Sequence, residues 1–154
     1  MKTAIEKFWK QFLCENPEYS RADVPPYYYF CDNEKDANEC AELVLQDIKK
    51  ATATSLWWFR HHGEELPKAG DISIVTNWEG YPQAIIKTTR IEKVPFAKVT
   101  PEFARTEGEG DKSLKYWKEV HEAYYRREME ESGAVFQEDM IIICEYFEKI
   151  YPSK

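Results

Sequence analysis

The feature that most constrains this chain is a change of period at Lys49-Lys50. Before it, apolar residues recur at helical spacing. Ile5, Phe8, Trp9, Phe12 and Leu13 make one face, and Ala37, Cys40, Ala41, Val44, Leu45 and Ile48 make another. After it, Ala51 to Phe59 is β-branched and aromatic, the composition of a strand. A length of 154 residues suits one domain with a real core. The pattern predicts an α+β domain over residues 1–154, its sheet preceded by an N-terminal helical extension.

Helices are expected near 3–15, 33–48 and 112–132, and strands at 50–59, 71–76, 82–94 and 139–147. The first helix stops before Asn16-Pro17, and a connector with three prolines runs to Tyr27. Tyr27 to Cys31 reads as a short strand or an ordered loop, and Asp32 or Asn33 as the cap of the second helix. Asn77-Trp78-Glu79-Gly80 turns a hairpin. Thr100 caps a short helix with Pro101 in its first turn, and that helix ends at Gly108. The long helix turns Leu114, Trp117, His121, Tyr124 and either Glu128 or Met129 inward, and Gly133 ends it. Met140 to Cys144 is apolar without alternation, which predicts burial on both faces of the last strand.

A net charge of −7 argues against a nucleic-acid coat protein, whose affinity comes from many phosphate contacts, while leaving room for a local basic pocket. No run has the apolar length of a membrane helix, and the first residues lead into an amphipathic pattern rather than a signal segment. Cys14, Cys31, Cys40 and Cys144 form no C-x-x-C and read as reduced thiols of a cytoplasmic protein. The paired spacings of zinc ligands are missing, so neither metal nor cofactor is expected.

The densest chemistry lies in Glu107-Gly108-Glu109-Gly110-Asp111, where three carboxylates occupy five residues. Like charges so crowded call for a cation, and Lys49-Lys50 is the candidate upstream. Asp111 suits the cap of the long helix. Gly108 and Gly110 allow tight turns that aim the glutamates inward. If a strand starts at Lys50, then Lys50, Thr52 and Thr54 share one face, and Ala51, Ala53 and Ser55 share the other. Trp57 beside Arg60 offers a surface for stacking on a base. His121 lies on the helix face of Trp117 with no second histidine at metal spacing, as a core residue or a site residue.

The acidic segment with its Leu/Trp/His helix, together with the run Lys50-Ala51-Thr52-Ala53-Thr54-Ser55-Leu56-Trp57, resembles the ASCH domain family of the PUA-like superfamily, over about residues 28–150. The resemblance implies a small β-barrel of mixed or antiparallel strands flanked by helices, and a cleft for a nucleoside, a nucleotide or single-stranded RNA. In the acetylcytidine amidohydrolase branch the working residues are a lysine, a threonine and a glutamate. These fall on Lys50, on Thr52 or Thr54 (Ala53 occupies the ungapped position), and on Glu107. The resemblance thus implies catalysis by Lys50, Thr52 or Thr54 and Glu107; Trp57, Arg60, Glu109, Trp117 and His121 are the candidate substrate-binding residues beside them. A ribonuclease using the same cleft and a non-catalytic RNA-binding module are the rival readings.

Overall fold

In a computed structural model that describes residues 2–153, the chain runs α1 (Lys2–Glu15), β1 (Tyr27–Tyr28), α2 (Glu34–Leu45), β2 (Ala51–Ser55), α3 (Leu56–His62), β3 (Ile72–Thr76), β4 (Pro82–Pro95), α4 (Pro101–Glu107), α5 (Leu114–Glu130) and β5 (Ile141–Tyr151). The five strands form one sheet in the order β1-β3-β4-β5-β2. All pairings are antiparallel except β1 with β3. β1 and β2 are the two edges, so the sheet stays open where the family resemblance implies a closed barrel. The long β4 bends instead, through pairing irregularities at Ile85/Ile86 and Thr88/Arg90.

Alternation along the inner strands assigns one helix to each face. Val75, Ala84 and Ile86 pack with Cys40, Ala41 and Val44 of α2. Their neighbours Ile74 and Ile85 pack with Ile5, Trp9 and Phe12 of α1. A third cluster joins Ala51, Ala53, Ile142 and Cys144 to Phe103 of α4 and to Trp117, Tyr125 and Met129 of α5. The unalternating apolar run of β5 is accordingly buried on both faces at Ile142, Ile143 and Cys144. Tyr125, which the sequence pattern passes over for Tyr124, is fully buried and donates its hydroxyl to Ala53 O at 2.9 Å. No described helix is long and apolar enough to cross a membrane.

The largest departure from the expected elements lies at 50–59. The strand stops at Ser55, and Leu56–His62 is helical. Ser55 caps the helix by accepting from Trp58 N at 3.1 Å, and Gly63 ends it in the left-handed conformation at φ 65°. Trp57 stacks on His61 and Trp58 on His62, each with ring centroids 4.5 Å apart. These i,i+4 pairs outweigh the β-propensity of the aromatic residues. α2 ends at Leu45 rather than at residue 48, and β5 continues four residues beyond 147. Ser113, not Asp111, caps α5, while Asp111 accepts from Ser113 N at 2.8 Å.

Candidate functional site

The turn after α2 selects which lysine is buried. Asp47 adopts φ 59°, and the amides of Ile48 and Lys49 both donate to Leu43 O. The chain then enters β2 with Lys49 on the parity of the core residues Ala51 and Ala53. Lys50 points to the outer surface beside Glu102, Arg105 and Thr106, outside the main cavity. Lys50 keeps the parity of Thr52 and Thr54 in the alternation of burial, but it lies beyond the cavity that those two threonines line, so the expected set of three does not meet in one site.

Lys49 is 2% exposed. Its Nζ donates to Ala51 O at 2.7 Å, to Glu107 Oε2 at 2.8 Å and to Glu109 Oε2 at 2.8 Å. The ammonium's three protons are thereby all used. Glu107 closes α4, and Gly108 follows at φ 74°. A Cβ on Gly108 would lie 2.5 Å from Ile48 O, so glycine is what lets the acidic segment lie against the lysine turn. The other oxygen of Glu107 accepts from the Trp117 indole and faces His121 Nε2 at 3.1 Å. His121 Nδ1 lies 2.8 Å from Trp117 O. A carbonyl can only accept, so Nδ1 donates there, which leaves Nε2 facing the carboxylate. The ring stacks on Trp117.

Burial opposes the charge on Lys49, but the two glutamates overcome it and hold the lysine well above its ordinary range. Burial likewise opposes ionisation of Glu107, and Lys49 and His121 reverse this, so Glu107 lies well below the usual carboxylate range. His121 is raised, its burial outweighed by Glu107. Glu109 moves the other way. Burial and the neighbouring Glu107 push it up to about 7 against the pull of Lys49. A lysine with no free proton site and a saturated glutamate are fixed charges, not proton carriers.

This cluster forms one wall of a cavity of about 720 Å³. The residues after β1, α2, β2, α3, the 64–68 loop, the α4–α5 joint and α5 make the remaining walls. Thr52, Thr54, Glu107, Glu109 and His121 all line it. Trp57 does not: it packs against the α4–α5 core, and Trp58 and Phe59 take the cavity side. Arg60 is exposed and outside the cavity. Trp117 is buried behind the wall and touches the site only through Glu107. Ten lining side chains are acidic, against Lys49, Lys68, Arg127 and His121, so the interior is a poor place for phosphates.

Among the described residues, two clusters have the make-up of metal ligands. Glu107, Glu109 and His121 form one, but Lys49 already provides its cation. Cys31, Cys40 and Glu109 form the other. Sequence spacing gives no hint of that second group. Cys31 reaches Cys40 because it takes φ 70° just before α2 folds back over β1. The burial of Lys49, by contrast, is legible by counting back two residues from Ala51 along the core-facing side of the strand.

A model of the ASCH domain matches residues 26–151. The chain is similar to a solved ASCH domain from Lactobacillus crispatus JV V101, with a TM-score of 0.91 and 38% identity over 98% of this chain and 96% of that one. It is also similar to protein EF3133 from Enterococcus faecalis V583, with a TM-score of 0.89 and 33% identity over 97% of this chain and 90% of that one. No curated protein sequence matches this chain closely.

Proposed function

The chain belongs to the ASCH domain family, and on that premise we propose that its cavity binds an uncharged nucleoside and hydrolyses an acyl amide on the base. The observation that carries this reading is the cavity itself. Its volume of about 720 Å³ lies within the ~300–1,000 Å³ of small-molecule sites. Aromatic rings line it, including Tyr28, Trp58 and Tyr124, alongside a fixed ionic group. An RNA strand would bring phosphates into a lining of ten acids, three lysine or arginine side chains and one histidine, where few counterions could be released. That balance supports a nucleoside over a nucleotide or a strand.

Glu109 suits the proton-carrying role. Its side chain is 16% exposed and faces the cavity, whereas those of Lys49 and Glu107 are 1% and 2% exposed. Glu109 takes a proton from a water that attacks the acyl carbon. The C–N bond breaks, and Glu109 returns the proton to the leaving base nitrogen, giving a carboxylic acid and the free amine. Lys49 and Glu107 hold Glu109 in place, and the hydroxyl of Thr52 or Thr54 orients the water. Lys49 thus takes the position that the family resemblance gave to Lys50.

The test incubates the protein with N-acylated and unmodified nucleosides, their 5′-phosphates and short RNAs, and follows products by mass spectrometry. Deacylation of a nucleoside is expected, abolished by Glu109→Gln with folding intact and unaffected by Lys50→Ala. Salt-sensitive RNA binding with no product from any nucleoside would replace the enzyme by an RNA-binding module.

A further inference from the structure

We propose that Cys31, Cys40 and Glu109 form a binding site for a thiophilic divalent ion such as Zn²⁺, open to the cavity at its fourth position. The two sulfurs lie 3.5 Å apart, and a Glu109 carboxylate oxygen lies within 4.8 Å of both. All three side chains line the same cavity wall. They come from three separate elements: the segment after β1, the middle of α2, and the joint between α4 and α5.

Distances separate this role from the simpler ones. Two thiolates on a tetrahedral zinc, with Zn–S bonds of about 2.3 Å, stand roughly 3.8 Å apart. The observed pair needs to open by only about 0.3 Å to reach that spacing. A disulfide requires about 2.05 Å, a closure of roughly 1.5 Å between a helix and a residue in the left-handed conformation. The Cys31 backbone, at φ 70°, holds a conformation that costs a non-glycine residue energy, and its result is to aim Sγ at Cys40.

The neighbouring group of Glu107, Glu109 and His121 provides the contrast. There the ammonium of Lys49 sits where an ion would, with both glutamates as ligands. No lysine or arginine bonds to Cys31 or Cys40 among the described residues. Soft sulfur ligands favour Zn²⁺ over Mg²⁺ or Ca²⁺, and three protein ligands with one open position leave room for water or a small ligand. Binding exchanges two thiol protons for the ion, so affinity rises with pH. It also engages Glu109, which makes metal occupancy and proton transfer by that residue mutually exclusive. The inference does not depend on the proposed hydrolysis, because its readout is spectroscopic.

The test uses the full chain, reduced and stripped with chelator, and titrates it with Co²⁺. One equivalent should produce thiolate-to-cobalt charge-transfer absorption and tetrahedral visible bands, and Zn²⁺ should displace both. Cys31→Ser, in a half-exposed segment, should abolish the charge-transfer band with the circular dichroism spectrum unchanged. Cys40→Ser should do the same where it folds. Glu109→Gln should weaken Co²⁺ binding more than about tenfold, since even outer-shell partners are worth about 10–100-fold. Cys144→Ser should leave the titration as it is. A missing charge-transfer band overturns the site, as does a band that survives Cys31→Ser or the recovery of a Cys31–Cys40 disulfide from the reduced, metal-treated protein.

Discussion

Replacing Lys49 with methionine keeps the length of the side chain and removes the charge that organises the site. Three donor hydrogen bonds vanish, to Ala51 O, Glu107 and Glu109. Removing one partner of a buried ion pair costs about 3–5 kcal/mol, because the other charge is left buried. Glu109 escapes that cost by holding a proton, being already pushed up to about 7 by burial and Glu107. Glu107 cannot escape so easily, yet His121 Nε2 stays 3.1 Å from its other oxygen. The loss should therefore fall near the lower end, about 3 kcal/mol. At about 2–4 °C per kcal/mol for a chain of this size, the melting temperature drops by roughly 6–12 °C. Thermal and urea unfolding of Lys49→Met, Glu107→Gln and the double variant measure it. The double variant removes both members of the buried Lys49–Glu107 pair and should recover at least about 1 kcal/mol relative to the sum of the singles. Lys50→Met, on the outer surface, should change stability by less than about 0.5 kcal/mol. Equal effects at the two lysines, or strict additivity in the cycle, would refute the buried-cluster argument.

Other expectations follow from separate parts of the molecule. Glu128 is raised to about 7 by burial, against a hydrogen bond from Ser55. The folded state keeps that proton longer than the unfolded chain, so stability should fall as pH rises from about 4.5 to 7, by about 1–2 kcal/mol after screening. Glu128→Gln should reduce the slope across this window in pH-dependent unfolding, leaving the part due to Glu109, and an unchanged slope counts against the burial of the carboxyl. Gly108→Ala combines a left-handed backbone with a Cβ 2.5 Å from Ile48 O. It should cost more than about 1 kcal/mol and weaken any ligand bound in the cavity, whereas Gly63→Ala, with open space around it, should cost only the backbone strain of about 1 kcal/mol. Ser55→Ala removes both the α3 cap and the donor to Glu128. A loss of about 1–2 kcal/mol in urea unfolding is expected, and no loss would mean that α3 does not depend on its cap.

The helical faces of α1, α2 and α5 were legible because one-sided burial writes itself into spacing. Thr100 and Gly108 marked α4 through capping chemistry. Residues 56–62 were misread because propensity favoured a strand. The overriding signals, a serine cap, a terminal glycine and two Trp–His pairs four apart, were present but weaker individually. That Lys49 rather than Lys50 meets Glu107 has a different origin. A left-handed Asp47 sets which face the chain shows on entering β2, and a non-glycine residue in that conformation leaves little trace in sequence. Nor can spacing reveal that Cys31 and Cys40 meet, since their approach depends on how α2 lies against β1. The carboxylates of 107–109 did announce that a buried cation must answer them, and the cation lies one residue from the one chosen.

β2 pairs only with β5, Ala51 opposite Tyr146 and Ser55 opposite Ile142, so residues 56–140, more than half of the chain, separate the two strands. Closing so long a loop carries its entropic cost before any pairing repays it. Lys49 and Glu107, 58 residues apart, depend on the same closure, because Lys49 leads directly into β2. The site is therefore an outcome of the late, cooperative part of folding, with no local precursor. A ligand held there opposes unfolding of the whole molecule, and amide exchange in β2 should slow in step with that in β5.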